Sequence, residues 1–162
     1  MKKKIICVVM VVMFLIFMGC DSRTDYENDY ISFKHPEEFE STDGYADNMY
    51  VFRSEETGRF FVALKWKYGD ASTAQEIADH YVDIFELPDS DKKRVESVVD
   101  LEVDGNPAAL IKFRDNGDYS SMLIVDYLPE YYINITFHLP KDENGDKITT
   151  DIIESIKIKQ TP

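Results

Sequence analysis

The sequence predicts an α+β domain in which an antiparallel β-sheet is flanked by helices. Three observations predict it: strand-like runs with period-two alternation recur between residues 30 and 138, tight-turn dipeptides separate several of them, and two segments carry apolar residues at helical spacing. Each predicted helix has one apolar stripe, which must lie on a sheet to be buried.

In chain order, Tyr30–Phe33 is a short strand stopped by His35-Pro36. Met49–Arg53 and Arg59–Lys67 alternate or run apolar and are joined through Glu56-Thr57-Gly58, a hairpin turn. Ala74, Ile77, Ala78, Tyr81 and Phe85 define a helix, with Ser72 and Gln75 spaced as a capping box and Pro88 beyond its end. Within Val95–Val103, Val95, Ser97, Val99, Leu101 and Val103 point one way and Glu96, Asp100 and Glu102 the other, with Val98 out of phase. Asp104-Gly105 turns the chain into Ala108–Arg114, Asn116-Gly117 into Tyr119–Tyr127, and Leu128-Pro129-Glu130 into Tyr131–His138. Strands joined in this way form an antiparallel meander. Ile148, Ile152, Ile153 and Ile156 mark a closing helix, with Asp146 and Asp151 near its start and Lys157 and Lys159 near its end to complement the helix dipole.

The first twenty residues point to a location. Lys2, Lys3 and Lys4 form a positive patch, Ile5–Met18 is an unbroken apolar run, and Gly19-Cys20 precedes polar Asp21, Ser22, Arg23 and Thr24. As a helix the run spans roughly 21 Å, short of the roughly 30 Å hydrocarbon core, so it suits a signal h-region better than a permanent span. The segment Phe17-Met18-Gly19-Cys20 resembles a bacterial lipoprotein signal peptide, matching at Gly19 and Cys20 and departing from the commoner residues at Phe17 and Met18. The resemblance implies cleavage between Gly19 and Cys20 and a covalent diacylglycerol on the Cys20 thiol; a plain export signal or signal anchor is the alternative. Two palmitate-type acyl chains anchor stably where one is marginal.

The expected organisation is a signal peptide over 1–19, a polar tether over 20–29 and a single domain over 30–162, held on the extracytoplasmic face of the cell membrane of a bacterium. Cys7 leaves with the signal, and the one Cys that remains forms no intramolecular disulfide. The formal charge of −13 becomes −16 once the three lysines of the leader are removed. Such a field repels phosphate backbones and anionic headgroups, which argues against nucleic-acid binding and polybasic membrane docking.

Tyr30-Ile31-Ser32-Phe33 with Pro36-Glu37-Glu38-Phe39, the helix at 74–85, Val103-Asp104-Gly105-Asn106-Pro107-Ala108, the strand Tyr131–Phe137 and the closing Ile152-Ile153-Glu154-Ser155-Ile156 are together similar to the PsbP-like family. That family is named for an extrinsic subunit of the photosystem II oxygen-evolving complex and includes many small bacterial lipoproteins. The resemblance spans nearly the whole mature chain, but its motifs are structural and carry over no functional residue. It implies an α-β-α sandwich and a binding or assembly role.

Signals for chemistry are sparse. His35, His80 and His138 have no His or Cys partner at ligand spacing and read as surface or capping residues, and no metal or cofactor is expected. Asp142-Glu143-Asn144-Gly145-Asp146 resembles the opening of a calcium loop, but Lys147 stands where such a loop needs Gly and Ile153 where it needs Glu, so it reads as a turn and helix cap. No Ser lies in a Gly-x-Ser-x-Gly elbow, and no catalytic residue is assigned. Period-two reading puts Tyr132, Asn134, Thr136 and His138 on one side of their strand, with Lys112 and Arg114 added by a neighbouring strand. Such a face is ordinarily a solvated sheet surface; as a binding surface it offers Lys112, Arg114, Tyr132, Asn134 and His138, with Tyr132 as aromatic anchor. The expected function is a membrane-anchored, non-enzymatic binding or assembly module with an envelope protein as partner. The alternatives are a small-ligand or divalent-cation carrier and a hydrolase with an unrecognised site.

Overall fold

The computed structural model describes residues 23–43, 48–67, 69, 73–85, 93–115 and 118–159. The expected signal peptide, Gly19, Cys20, Ser72, Pro88 and the Asn116-Gly117 turn lie outside the described residues. Among the described residues ten strands and two helices follow in the order β1 (Arg23–Glu27), β2 (Ile31–Pro36), β3 (Glu40–Asp43), β4 (Met49–Arg53), β5 (Phe60–Lys67), α1 (Ala74–Phe85), β6 (Lys93–Val103), β7 (Asn106–Asp115), β8 (Asp118–Leu128), β9 (Tyr131–His138), α2 (Glu143–Ser155) and β10 (Lys157–Ile158). All strand pairs are antiparallel. They form a small sheet, β1-β2-β10, and a seven-stranded sheet, β3-β4-β5-β9-β8-β7-β6. The fold is thus antiparallel sheets with two helices, and the expected meander is its β6-β7-β8-β9 half.

The large sheet buries both faces, unequally. Its inner face carries Phe52, Phe61, Ala63, Leu123, Val125, Ile133, Ile135 and Phe137, covered by Ile31 and Phe33 of the small sheet and by Ile148 and Ile152 of α2. Cross-strand partners Phe52 and Phe61 stack with ring centroids 4.5 Å apart, and Phe33 meets both edge-on. The outer face is covered over β6-β8 by α1, whose Ala74, Ile77, Ala78 and Phe85 pack on Ala109, Ile111, Phe113, Met122 and Ile124. One side of the sheet therefore carries a helix, and the other a second small sheet together with a helix.

Several expectations change. Residues 23–29, expected in the tether, belong to the folded body: β1 pairs with β2 throughout, the Arg23 guanidinium bonds Asp151 at 2.8 Å, and the Tyr26 ring lies 4.8 Å from Phe52. One inward aromatic in an otherwise polar pentapeptide is too short a pattern to register as a strand. The helix α1 is capped one residue later than the spacing suggested, with the Thr73 hydroxyl accepting from the Glu76 N–H. Asp126 of β8 adds a cap from across the fold, accepting from the Ala74 N–H at 2.6 Å. Lys157 and Lys159 do not serve the α2 dipole; they pair with Asp104 and Glu27.

Strand β6 shows why Val98 was out of phase. The register shifts between Val95 and Ser97, so Glu96 is the extra residue of a β-bulge. Val95 opposite Phe113 and Val98 opposite Ile111 then share the outer face and pack against the α1 cluster. The turn that follows has positive φ at both Asp104 (50°) and Gly105 (81°), the geometry of a two-residue hairpin.

Candidate functional site

The five residues proposed as a binding surface do not converge. Lys112 stands opposite Ser121, and Ser121 opposite Phe137. Directly opposed residues share a face, so Lys112 and Arg114 lie on the inner face while Tyr132, Asn134 and His138 lie on the outer one. A one-residue error in relative register, invisible within a single strand, moves a whole row to the other side.

Nor is Tyr132 a surface anchor. It is 7% exposed, packed in the α1 cluster, and burial with a hydrogen bond to Tyr81 raises its hydroxyl to about 12. Asn134 is buried and its side-chain oxygen accepts from the Thr136 hydroxyl at 2.9 Å. The exposed aromatic on this face is Trp66, opposite Tyr132 and 51% exposed, flanked by half-buried Val51, Val62 and Leu64 where α1 does not reach. A lone Trp between Lys65 and Lys67 in an apolar strand was the available signal.

Lys112 and Arg114 instead meet the start of α2. The Arg114 Nε donates to Glu96 at 2.7 Å and the Lys141 Nζ to the other Glu96 oxygen at 2.5 Å. The Lys141 bond and then the Arg114 bond hold the Glu96 carboxyl below the usual carboxylate range. Lys112 lies 4.0 Å from Asp146. Asp142 is the N-cap of α2, accepting from the Gly145 N–H at 2.7 Å, with Arg59 at 3.9 Å from its other oxygen. The expected turn and helix cap thus has its Asp142 and Asp146 carboxylates facing protein partners. Among the described residues no group of three or more His, Cys, Asp or Glu side chains is placed to hold a metal ion.

Of the five proposed residues, His138 lines an open cleft. The cleft, about 410 Å³, lies between the β4–β5 turn and the adjoining ends of β8 and β9, and is lined by Arg59, Phe60, Asp118, Tyr119, His138 and Pro140 among others. The His138 imidazole stacks on Phe60 with ring centroids 4.3 Å apart, and its Nδ1 lies 3.1 Å from the Ser120 hydroxyl. Ser120 is 1% exposed. The pair therefore fixes the imidazole in place, and the buried hydroxyl is out of reach of a substrate in the cleft. What the arrangement offers a small molecule is an oriented imidazole edge, the Arg59 side chain and a phenol.

The remaining histidines divide. His80 is exposed on α1. His35, expected at the surface or in a cap, is buried among Phe33, Phe52 and Phe61, its Nδ1–H donating to the Pro36 carbonyl at 2.9 Å. The residue follows strand parity, which points every second side chain of β2 into the core. Burial lowers its affinity for a proton.

Comparison with known proteins bears on the fold. The solution structure of cyanobacterial PsbP (CyanoP) from Synechocystis sp. PCC 6803 superposes with a TM-score of 0.61 at 11% identity, covering 87% of this chain and 95% of that one. A crystal structure from Bacteroides thetaiotaomicron VPI-5482 superposes at 0.50 and 14% identity, covering 86% of this chain and 49% of that one. The chain has a PsbP-like neighbour in fold. No protein-family model and no curated protein sequence matches it.

Proposed function

We propose that this protein is a membrane-anchored, extracytoplasmic lipoprotein whose folded body, a PsbP-like α-β-α sandwich, acts as a non-enzymatic binding or assembly module. The observation that carries the anchor is Cys20 placed after Gly19 where the apolar run Ile5–Met18 ends. In this reading the folded body, which begins with β1 at Arg23, would follow the lipidated Cys20 by at most about 10 Å of chain. The binding role rests on the family resemblance, to which the fold likeness with cyanobacterial PsbP lends support.

Mass spectrometry of the amino-terminal peptide from native membranes tests the reading. A diacylglycerol-modified Cys20 at the mature terminus is expected, and Cys20→Ser should leave the membrane fraction or retain its leader. An unmodified thiol at Cys20 in wild-type protein overturns the anchor. The cleft at His138 and Arg59 favours a second reading, a small-ligand carrier. Native mass spectrometry of the purified protein separates the two, since a carrier retains a small molecule and an assembly module retains a protein.

A further inference from the structure

Strand β6 ends the order of the large sheet, and its outer backbone groups have no strand partner among the described residues. Natural proteins guard such an edge with lysine, proline or a bulge. Here the bulge at Glu96 disrupts only the first part of the strand; from Ser97 to Val103 the pairing with β7 is regular.

The side chains along that regular part alternate in chemistry as well as direction. Val99, Leu101 and Val103 stand opposite Leu110, Ala108 and Asn106 on the inner face, while Asp100 and Glu102 stand opposite Ala109 and Pro107 on the outer face. Val99 is 47% exposed. Over the inner face at this edge, α2 overhangs the sheet and leaves a groove of about 350 Å³ with Leu101, Leu110 and Ile153 as its apolar lining. Glu102 and Glu154 are exposed at its rim and make no ion pair among the described residues, whereas Asp104 there is paired with Lys157.

We infer that residues 97–103 of β6 accept an extended segment of a partner protein as an added strand, one whose side chains alternate apolar and cationic. The backbone edge would supply the ladder bonds, the apolar row would lie beside Val99 and enter the groove at Leu101 and Ile153, and lysines or arginines on the other face would meet Asp100 and Glu102. A second copy of this chain is disfavoured as the occupant, because it would set two acidic rows side by side on bodies that each carry the same excess of negative charge. The inference deepens the binding-module reading and rests on it, but does not depend on the lipid anchor.

The test uses the full chain in nonionic detergent, titrated with a short Ile-Lys repeat peptide and, as controls, Ile-Glu and Ser-Lys repeats. Fluorescence anisotropy reads affinity and amide hydrogen exchange reads location. Binding of the Ile-Lys peptide alone is expected, with new protection confined to residues 97–103 and their pairing partners. The double variant D100K/E102K, on exposed positions and checked for an unchanged circular dichroism spectrum, should weaken that binding about tenfold and bring Ile-Glu binding in its place. Val99→Lys should also weaken it. The inference is overturned by no binding at about 1 mM peptide, by protection elsewhere, by charge reversal without effect, or by protection at β6 that appears with protein concentration alone. An unmodified Cys20 would remove the anchor and leave this result standing, while failure of the peptide experiment would remove the edge and leave the anchor.

Discussion

Gly145 offers a prediction whose sign depends on tertiary structure. It occupies the first turn of α2, where replacing glycine with alanine ordinarily stabilises a helix by about 0.5–1 kcal/mol. In this fold a Cβ on Gly145 would collide with the Pro140 carbonyl oxygen and would touch Asp142 Oδ1, the capping atom, at 3.4 Å. The obstacle is backbone, set between buried Leu139 and the cap itself, so it does not swing aside like a long side chain. Overpacking of this kind costs about 1–3 kcal/mol, and a collision with a backbone oxygen puts it at the upper end, so subtracting the helix gain leaves Gly145→Ala less stable by about 2 kcal/mol. For a body of this size that is a fall in Tm of about 4–8 °C. Urea and thermal unfolding followed by circular dichroism check it, with Asn144→Ala, exposed on the same turn, as the control that should change stability by less than about 0.5 kcal/mol. A Gly145→Ala protein as stable as wild type, or more so, would refute the close approach.

Two further outcomes follow from buried polar groups. Burial disfavours the charged His35 imidazole in the fold, whereas the unfolded chain takes up a proton near pH 6.5. The folded state therefore binds fewer protons below that pH, so stability is fully present above about 6.5 and declines as pH falls toward the depressed folded value. Urea midpoints at descending pH should fall less steeply for His35→Leu than for wild type, and equal slopes would count against the assignment. Asp126→Ala removes the carboxylate that caps α1 through the Ala74 N–H and should cost about 1–2 kcal/mol, with Asp126→Asn recovering part of the loss. A neutral Asp126→Ala in equilibrium unfolding would show that the Thr73 cap suffices.

The legible parts of the fold were those whose signal is local and repeated. The helix Ala74–Phe85 matches its apolar spacing residue for residue, and the β6-β7-β8-β9 meander follows alternation punctuated by turns such as Asp104-Gly105. Missed were β1, β3 and β10, five, four and two residues long, because a strand that short contains too few alternations to stand out from a polar loop. These elements exist through their pairing: β1 and β10 flank β2, and β3 flanks β4.

The candidate site was the least legible part. Alternation within β9 correctly separated Tyr132, Asn134 and His138 from Ile133, Ile135 and Phe137, but not which row α1 would bury. By itself the sequence determined the element types, the acidic charge and the apolar run ending at Cys20, since each is a property of neighbours along the chain. Only the tertiary structure decided that Lys112 and Arg114 face away from His138, that Tyr132 is covered and Trp66 is not, and that β6 is left at the edge. Those outcomes depend on inter-strand register and on where two helices cover the sheet, and both are set by contacts between residues far apart in sequence.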